Sequence, residues 1–346
     1  MKILIQNDGP HAFYYIRLGL AKAFNACGHE VQMWEASHTP VFDVFDSFQP
    51  DLFIGQTYNT SKTICEAIKE RPHMKVIMKA GDWGPFGDTL DRQKYPLLMA
   101  SEQEKKTILD LYEETGKPDF VHIHYHQDAL EQTHGYWQDH GVPIESILNA
   151  ADIYDYTRGV MDKRFESDLT FIGGYWGYKA QTFDKWLLPL CADYTCRIKI
   201  FGNSGWPIPQ YCGFIPDEMT KYALASATIC PNLSEPHSQV FGFDIIERPF
   251  KLLSNGCFVI SDYVECLEKI IPDGIVYAKT PTEFKDMVSH FLANPMERIK
   301  YMDHGYQAVM NEHTYFHRVK QIFEKLNLPT QAAQVDSIYN QIRSQL

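Results

Sequence analysis

The chain has 346 residues, 45 % hydrophobic and 22 % charged, enough for two globular domains with sizeable cores. Its 44 acidic and 32 basic residues give a net charge of -12, which weighs against nucleic acid as the main partner because phosphate backbones need a basic footprint. No apolar run approaches the roughly 20 residues of a membrane span.

The opening Met-Lys-Ile-Leu-Ile-Gln predicts a buried strand over 2–5 and not a signal peptide. Eight cysteines lie at 27, 65, 191, 196, 212, 230, 257 and 266, with no Cys-x-x-Cys pair. Cys230 and Cys257 sit inside apolar runs, as buried free thiols do in a reducing compartment. A cytoplasmic protein is expected.

After the turn Asn7-Asp8-Gly9-Pro10, a helix is predicted from about His11 to Cys27, with Phe13, Ile16, Leu20, Ala23 and Phe24 on one stripe. Gly28 stops it, and 29–34 form the next strand of a right-handed βαβ unit. Gly9 stands alone, so the Gly-x-Gly-x-x-Gly dinucleotide fingerprint is absent. The alternation continues with a strand at 51–55, a helix at 60–70 and strands at 74–78 and 97–99. A helix from Ser101 to about Glu114 follows, with Glu104 completing a capping-box pattern, then a strand at 120–126. Polar loops at Asn7-Asp8-Gly9, Gly55-Gln56-Thr57, Gly81-Asp82 and His126-Gln127-Asp128 fall at strand ends, where doubly wound folds bind ligands.

His122, His124 and His126 share one face of that last predicted strand. Alternate strand positions converge poorly on one ion, so they read as core histidines and no metal site is expected; His126, at the strand end, is placed toward a ligand cleft. The weakly periodic stretch 142–159 predicts a domain linker around 150–165.

The pattern restarts with a strand at 168–172, the turn Gly173-Gly174, and a helix opened by Tyr175-Trp176-Gly177-Tyr178-Lys179. Glycines between a strand and a helix let backbone N–H groups approach phosphate, and Lys179 adds charge. The Gly-Lys-Ser/Thr ending of a Walker motif is missing. Strands at 197–201 and 228–233 flank Gly213-Phe214-Ile215-Pro216 and a helix starting at Asp217. From Glu247 to Gly256 a short helix is predicted, with Phe250, Leu252 and Leu253 facing a sheet and Glu247 and Lys251 at i, i+4 spacing. Gly256 supplies the left-handed stop, and a buried strand leads to Asp262. A strand at 274–277 and helices at 281–293, 295–312, 315–326 and from 331 onward close the chain. The predicted fold class is α/β: a Rossmann-like domain over 1–155, a second over 156–320, and a helical segment, 321–346, packing back on the first.

Asp244-Ile245-Ile246-Glu247-Arg248-Pro249-Phe250-Lys251, followed by Gly256-Cys257-Phe258-Val259-Ile260-Ser261-Asp262, resembles the glycosyltransferases of the CgeB-like (spore-maturation) group. Asn294-Pro295-Met296-Glu297-Arg298, His313-Thr314-Tyr315-Phe316-His317-Arg318 and the strand Ser167 to Gly173 are similar to further segments of that family. The likeness covers 167–325 well and the first half weakly.

The resemblance implies the GT-B fold, two Rossmann-like domains facing each other across a cleft. It also implies metal-independent transfer of a sugar, hexosyltransferase-like, from a nucleotide sugar such as a UDP- or GDP-sugar. The donor would bind the second domain. The acceptor, a carbohydrate, lipid-linked or protein hydroxyl, would bind the first. Carried over, Arg248 and Lys179 become phosphate ligands, Gly173 and Gly174 the backbone that approaches it, and Gly213, Phe214 and Ile215 the frame of the base. Glu247 would hold the ribose or orient Arg248. Where many relatives place a ribose-binding Glu, this chain has Lys251, which would bind phosphate instead. An inverting enzyme needs a general base on the acceptor side. Asp82, beside the sugar-stacking Trp83, His11 and His126 are the candidates. The alternatives are a non-catalytic nucleotide-sugar binding protein of the same fold and a sugar-nucleotide epimerase.

Overall fold

The computed structural model describes residues 1–8, 11–81, 102–193 and 196–346. In chain order the elements begin with β1 (Lys2–Gln6), α1 (His11–Ala26), β2 (Glu30–Trp34), α2 (Val41–Phe48), β3 (Leu52–Gln56), α3 (Lys62–Lys69) and β4 (Lys75–Lys79). Then come α4 (Glu102–Thr115), β5 (Phe120–Ile123), α5 (Leu130–Asp139) and β6 (Ile144–Ser146). The next group is β7 (Ser167–Ile172), α6 (Gly177–Trp186), α7 (Leu188–Asp193), β8 (Ile198–Phe201), α8 (Asp217–Ala225), β9 (Ala227–Asn232) and α9 (Pro236–Phe241). The last are α10 (Arg248–Ser254), β10 (Val259–Asp262), α11 (Glu265–Ile270), β11 (Val276–Ala278), α12 (Pro281–Ala293), α13 (Pro295–Glu312), α14 (Tyr315–Lys325) and α15 (Pro329–Arg343).

The chain divides into two compact units, residues 1–148 with 315–346, and residues 149–314. In the first, six parallel strands run in the order β2-β1-β3-β4-β5-β6. Ile3, Leu4, Ile5, Phe53, Val76, Ile77 and Met78 are buried in near-continuous apolar runs, as in a sheet covered on both faces. The last two helices join this unit through side chains that the α1 stripe accommodates. Gly19 leaves room for the Tyr315 ring, and Phe24 meets Phe323 edge-on at 5.5 Å. Arg318 Nε donates to the Leu148 carbonyl at 2.9 Å.

The second unit is a five-stranded parallel sheet in the order β11-β10-β9-β7-β8. Its core joins Phe171, Phe183, Leu187, Ile200, Trp206, Phe258 and Phe284. Chain direction across the sheet reverses between β7 and β9, as it does in the first unit between β1 and β3. Both reversals are topological switch points, where strand ends splay apart and leave a crevice. Among the described residues no helix is long and apolar enough to cross a membrane.

Most predicted elements appear within a few residues of their expected bounds. Gly28 and Gly256 both adopt positive φ, 80° and 78°, as helix stops. The helices α9 and α11, six residues each, and the three-residue β6 are too short to show a periodicity. The strand expected at 97–99 and the Ser101 cap fall outside the described residues.

The histidine triplet is corrected. β5 ends at Ile123, so His124 and His126 lie beyond the strand, and the three do not share a strand face. No group of three metal-ligating side chains forms among the described residues. Among the described residues, neither buried ring nitrogen of His122 has a hydrogen-bond partner. Burial, followed by the charges of Lys79 and His124, holds it down to about 3.

Two tests follow from this packing. A buried His kept neutral in the native state but titrating near 6.5 when unfolded adds stability that is complete above pH 6.5 and lost as pH falls toward 3. Urea melts between pH 6.5 and 4 should show stability rising with pH, by at most ~1.4 kcal/mol per unit from this residue. His122→Gln should flatten that slope, and an unchanged slope would show that the imidazole is charged in the fold. The second test concerns Gly305 in α13. An Ala in a helix normally adds up to about 1 kcal/mol over Gly. Here a Cβ would stand 2.5 Å from Leu253 Cδ2 and 2.8 Å from the Gly274 carbonyl oxygen. Gly305→Ala should therefore destabilise, by about 1–3 kcal/mol, and a stabilised variant would contradict the packing.

Candidate functional site

The crevice at the β7–β9 switch point is built from three strand ends. β7 runs into Gly173 and Gly174, β8 into Gly202-Asn203-Ser204, and β9 into Leu233-Ser234-Glu235. The glycines permit close backbone approach. A Cβ on Gly202 would overlap the Gly173 carbonyl, and one on Gly174 would meet Asn203 Oδ1 at 3.0 Å. Trp206 Nε1 donates to the Gly173 carbonyl at 2.9 Å and fixes the turn.

Arg248, the first residue of α10, reaches across this crevice. Its guanidinium lies 4.6 Å from the Phe171 ring centroid on β7, and Nη1 donates to the Leu233 carbonyl at the end of β9 at 3.1 Å. A Cβ on Gly173 would stand 3.0 Å from Nη2. Pro249 at the second helical position suits a helix start, since its missing N–H has no partner there anyway.

Lys179, in the first turn of α6, is only 5 % exposed, and its Nζ donates to Glu235 Oε1 at 3.0 Å. The other oxygen, Oε2, is buried and has no hydrogen-bond partner among the described residues. Asp262, fully buried at the end of β10, accepts from the Ser234 N–H at 2.9 Å, Ser234 Oγ at 3.0 Å and Gln239 Nε2 at 2.6 Å. Tyr178 Oη lies 2.7 Å from His237 Nδ1, His237 Nε2 lies 2.7 Å from Asp244 Oδ2, and Ser238 Oγ donates to the same carboxylate. This buried chain ties α9 to α6 and so fixes Glu235 relative to Lys179.

Burial dominates the electrostatics. It pushes Lys179 down, opposed by Glu235 and reinforced by Arg248. It also pushes Arg248 down against the pull of Glu235 and Asp262. Asp262 is raised by burial, which the Ser234 and Gln239 hydrogen bonds and Lys179 only partly offset. Two cations and two acids thus share a poorly hydrated crevice. The Arg248 guanidinium carries five N–H donors, and its hydrogen bond among the described residues goes to a neutral carbonyl. Such a group is poised for an anionic ligand.

Of the donor-side residues read from the sequence, Gly173, Gly174, Lys179 and Arg248 come together here. Gly213 (φ 89°) accepts from the Gly202 N–H at 3.1 Å and so adjoins the glycine turns. Phe214 is 68 % exposed, while Ile215 packs against Phe201 and Ala223. Glu247 and Lys251 pair with each other at 2.6 Å, with Lys251 Nζ 5.1 Å from the Tyr156 ring centroid. The acids whose charge reaches Arg248 are Glu235 and Asp262. On the acceptor side, His126 caps a short 3₁₀ turn by accepting from the Asp128 N–H at 3.3 Å. His11 opens α1 with its side chain outside the described set, and Asp82 lies outside the described residues altogether. Sequence reasoning missed Ser234, Glu235, His237 and Gln239. The signal for them was Glu235 directly before Pro236, an acid followed by a favoured first helical residue.

Residues 181–324 match the family model described as glycosyl transferase-like. Comparison with curated proteins finds no match. Among solved structures, T4 phage BGT in complex with UDP and Mn2+ aligns over 98 % of this chain and 99 % of its own, at 13 % identity and a TM-score of 0.56. Sucrose-phosphate synthase from Thermosynechococcus elongatus aligns over the full length of both chains, at 12 % identity and a TM-score of 0.60. An alpha-glucosyltransferase in complex with UDP and a 13-mer DNA containing a HMU base aligns over 94 % of this chain and 99 % of its own, at 10 % identity and a TM-score of 0.64. At these identities the likeness shows the fold, which is GT-B with two Rossmann-like units, as the sequence led us to expect. The family match over the second unit supports sugar transfer in general terms.

The Lys179–Glu235 pair can be tested directly. Glu235→Ala would strand a buried ammonium and should destabilise by about 3 kcal/mol, the lower end of the range for breaking a buried pair because Glu235 is partly exposed. Lys179→Met combined with Glu235→Leu should recover most of that loss in urea melts. Additive losses in the double variant would show that the two groups do not interact.

Proposed function

We propose that this protein is a hexosyltransferase-like glycosyltransferase that moves a sugar from a nucleotide-activated donor to an acceptor hydroxyl. The donor sits in the β7–β9 crevice, and the acceptor binds the first unit. One observation carries the reading: Arg248, Lys179 and the glycine turn Gly173-Gly174 converge at a switch point inside the unit that bears the glycosyl transferase-like match. The likeness of Arg248, Gly256, Asp262 and the segment His313 to Arg318 to the CgeB-like group supports this reading.

In transfer from a nucleotide sugar, negative charge builds on the departing diphosphate. Arg248 donates to that charge, and Lys179 adds a second cation. The N-terminus of α6, whose cap residue Trp176 makes no side-chain hydrogen bond to it, contributes its dipole. These groups supply the positive charge that a metal would otherwise bring, so we assign a metal-independent reaction. The unpartnered Glu235 Oε2 accepts a hydroxyl of the donor sugar, and the exposed Phe214 ring offers a stacking face for the base of a UDP- or GDP-sugar. Glu247, paired with Lys251, stands ready for a ribose hydroxyl. The general base belongs to the first unit, to Asp82, His11 or His126. Nδ1 of His126 accepts from the Asp128 N–H, so in the neutral ring Nε2 carries the hydrogen and Nδ1 is the basic nitrogen, which takes a proton only on release from that bond.

The acceptor is a carbohydrate, lipid-linked or protein hydroxyl. The net charge of -12 weighs against DNA, with which one structural neighbour is complexed. All eight cysteines are free, which suits a cytoplasmic setting. The Lys251–Glu247 pair, standing where relatives place an acid, supports a second reading, a nucleotide-sugar binding protein without turnover.

Purified protein supplied with UDP-, GDP-, ADP- and TDP-sugars and a panel of acceptors should release one nucleoside diphosphate. Binding without release under every condition would favour the second reading. Arg248→Ala should weaken nucleoside diphosphate binding by about 1.5–3 kcal/mol, the range for hydrogen bonds to charged groups. Unchanged affinity in calorimetry would remove Arg248 from the site.

A further inference from the structure

Two of the eight cysteines meet near the start of β10, at the end of that strand remote from the crevice. Cys230, on β9, is fully buried, and Cys257, just before β10, is 4 % exposed. The two strands are neighbours there, with the Cys230 N–H donating to the Phe258 carbonyl at 2.9 Å. Both thiols donate to one acceptor, the Leu224 carbonyl on α8, each at 3.6 Å. They are also hydrogen-bonded to each other, and that bond, followed by burial, pushes the Cys230 thiol well up. The stop of α10 fixes Cys257 in place. The Cys257 N–H donates to the Leu252 carbonyl and the Gly256 N–H to the Leu253 carbonyl, both at 3.0 Å.

The two thiols are not equivalent. An open cavity of about 240 Å³ reaches Cys257, with Leu224, Asn255, Phe258 and Met302 among its walls. Asn255 Nδ2 donates one hydrogen to the Lys221 carbonyl at 3.1 Å and one to Cys257 Sγ at 3.7 Å. An N–H aimed at sulfur favours the thiolate, the form that attacks oxidants. Cys230 lies behind, outside the cavity lining, with its thiol held protonated. One sulfur is thus placed to meet an oxidant, and the other to resolve the product.

We propose that Cys257 and Cys230 form an oxidisable pair, a modification site for hydrogen peroxide that closes into a disulfide. The Cys257 sulfur attacks one peroxide oxygen. An S–O bond forms, the O–O bond breaks, and the thiol proton leaves with the other oxygen as water. The Cys230 sulfur then attacks the Cys257 sulfenic sulfur. An S–S bond forms, the S–O bond breaks, and the hydroxyl departs with the Cys230 proton as a second water. The two sulfurs are oxidised, and peroxide takes both electrons. A thiol such as glutathione returns the pair to its reduced form. The disulfide ties β9 to the stop of the helix whose first residue is Arg248. This site stands apart from the crevice and holds with or without sugar transfer.

In the test, the full chain is treated with hydrogen peroxide, its remaining thiols are alkylated in denaturant, and the digest is read by mass spectrometry. A peptide pair linked through Cys230 and Cys257 should appear, and dithiothreitol should restore both thiols. The exposed Cys212 reports that the dose of oxidant was sufficient. Full alkylation of Cys230 and Cys257 once Cys212 is oxidised overturns the pair. So does a link that forms only in the urea-unfolded chain, because native placement is what joins the two sulfurs. Variants separate the two roles. Cys230→Ala should leave Cys257 as a sulfenic acid that dimedone traps, and Cys257→Ala should leave Cys230 alkylatable after the same dose. Loss of Cys230 alkylation in Cys257→Ala to the same extent as in the unmodified protein overturns the assigned order.

Discussion

Charge burial at a strand reversal governs the second unit. Arg248 spans the gap between β7 and β9, with its face on Phe171 and one edge on the Leu233 carbonyl. Beside it, Lys179 is held in a nearly dry position by Glu235. Isolated charges are expensive to bury, and this arrangement is stable only because each has a partner or a ring. The balance is incomplete by design of the geometry. Among the described residues, Glu235 keeps one oxygen unpartnered and Arg248 spends its hydrogen bond on a neutral acceptor. In the proposed function, a diphosphate and a sugar hydroxyl complete both.

The remaining features of that unit serve this placement. Gly173, Gly174 and Gly202 remove the side chains that would separate the three strand ends. Asp262 draws Ser234 and Gln239 together, and the Tyr178–His237–Asp244 chain anchors α9 to α6. The six-residue α9 is thus held by its polar side chains rather than by its own length, since one and a half turns have little intrinsic stability.

Much of this was legible before any coordinates. Strands buried on both faces announce themselves as apolar runs, so the αβ alternation could be read from 2–6, 52–56, 167–172 and 257–262, while the GT-B expectation came from the family resemblance over 167–325. Gly173-Gly174 and Arg248 stood out through the family resemblance, since a glycine pair after a strand is as often only a tight turn and an arginine at a helix start as often a surface ion pair. Glu235, His237 and Gln239 were not, because α9 is too short for a hydrophobic period and its meaning lies in contacts with Lys179, Asp244 and Asp262. Glu247 and Lys251 were legible as an i, i+4 pair, but their distance from the Arg248 charges depends on which way α10 faces. His126 was placed on a strand that ends three residues earlier, since apolar residues alternate with His up to Tyr125 and nothing in the sequence marks the stop.

The most direct measurement is a crystal structure of the protein with a nucleoside diphosphate. The account predicts the diphosphate against the Gly173-Gly174 turn, with an oxygen within 3.2 Å of the Arg248 guanidinium, roughly the limit of a strong N–H···O bond, and the base beside Gly213 and Phe214. A nucleotide bound elsewhere, with Arg248 still resting on the Leu233 carbonyl alone, would contradict it.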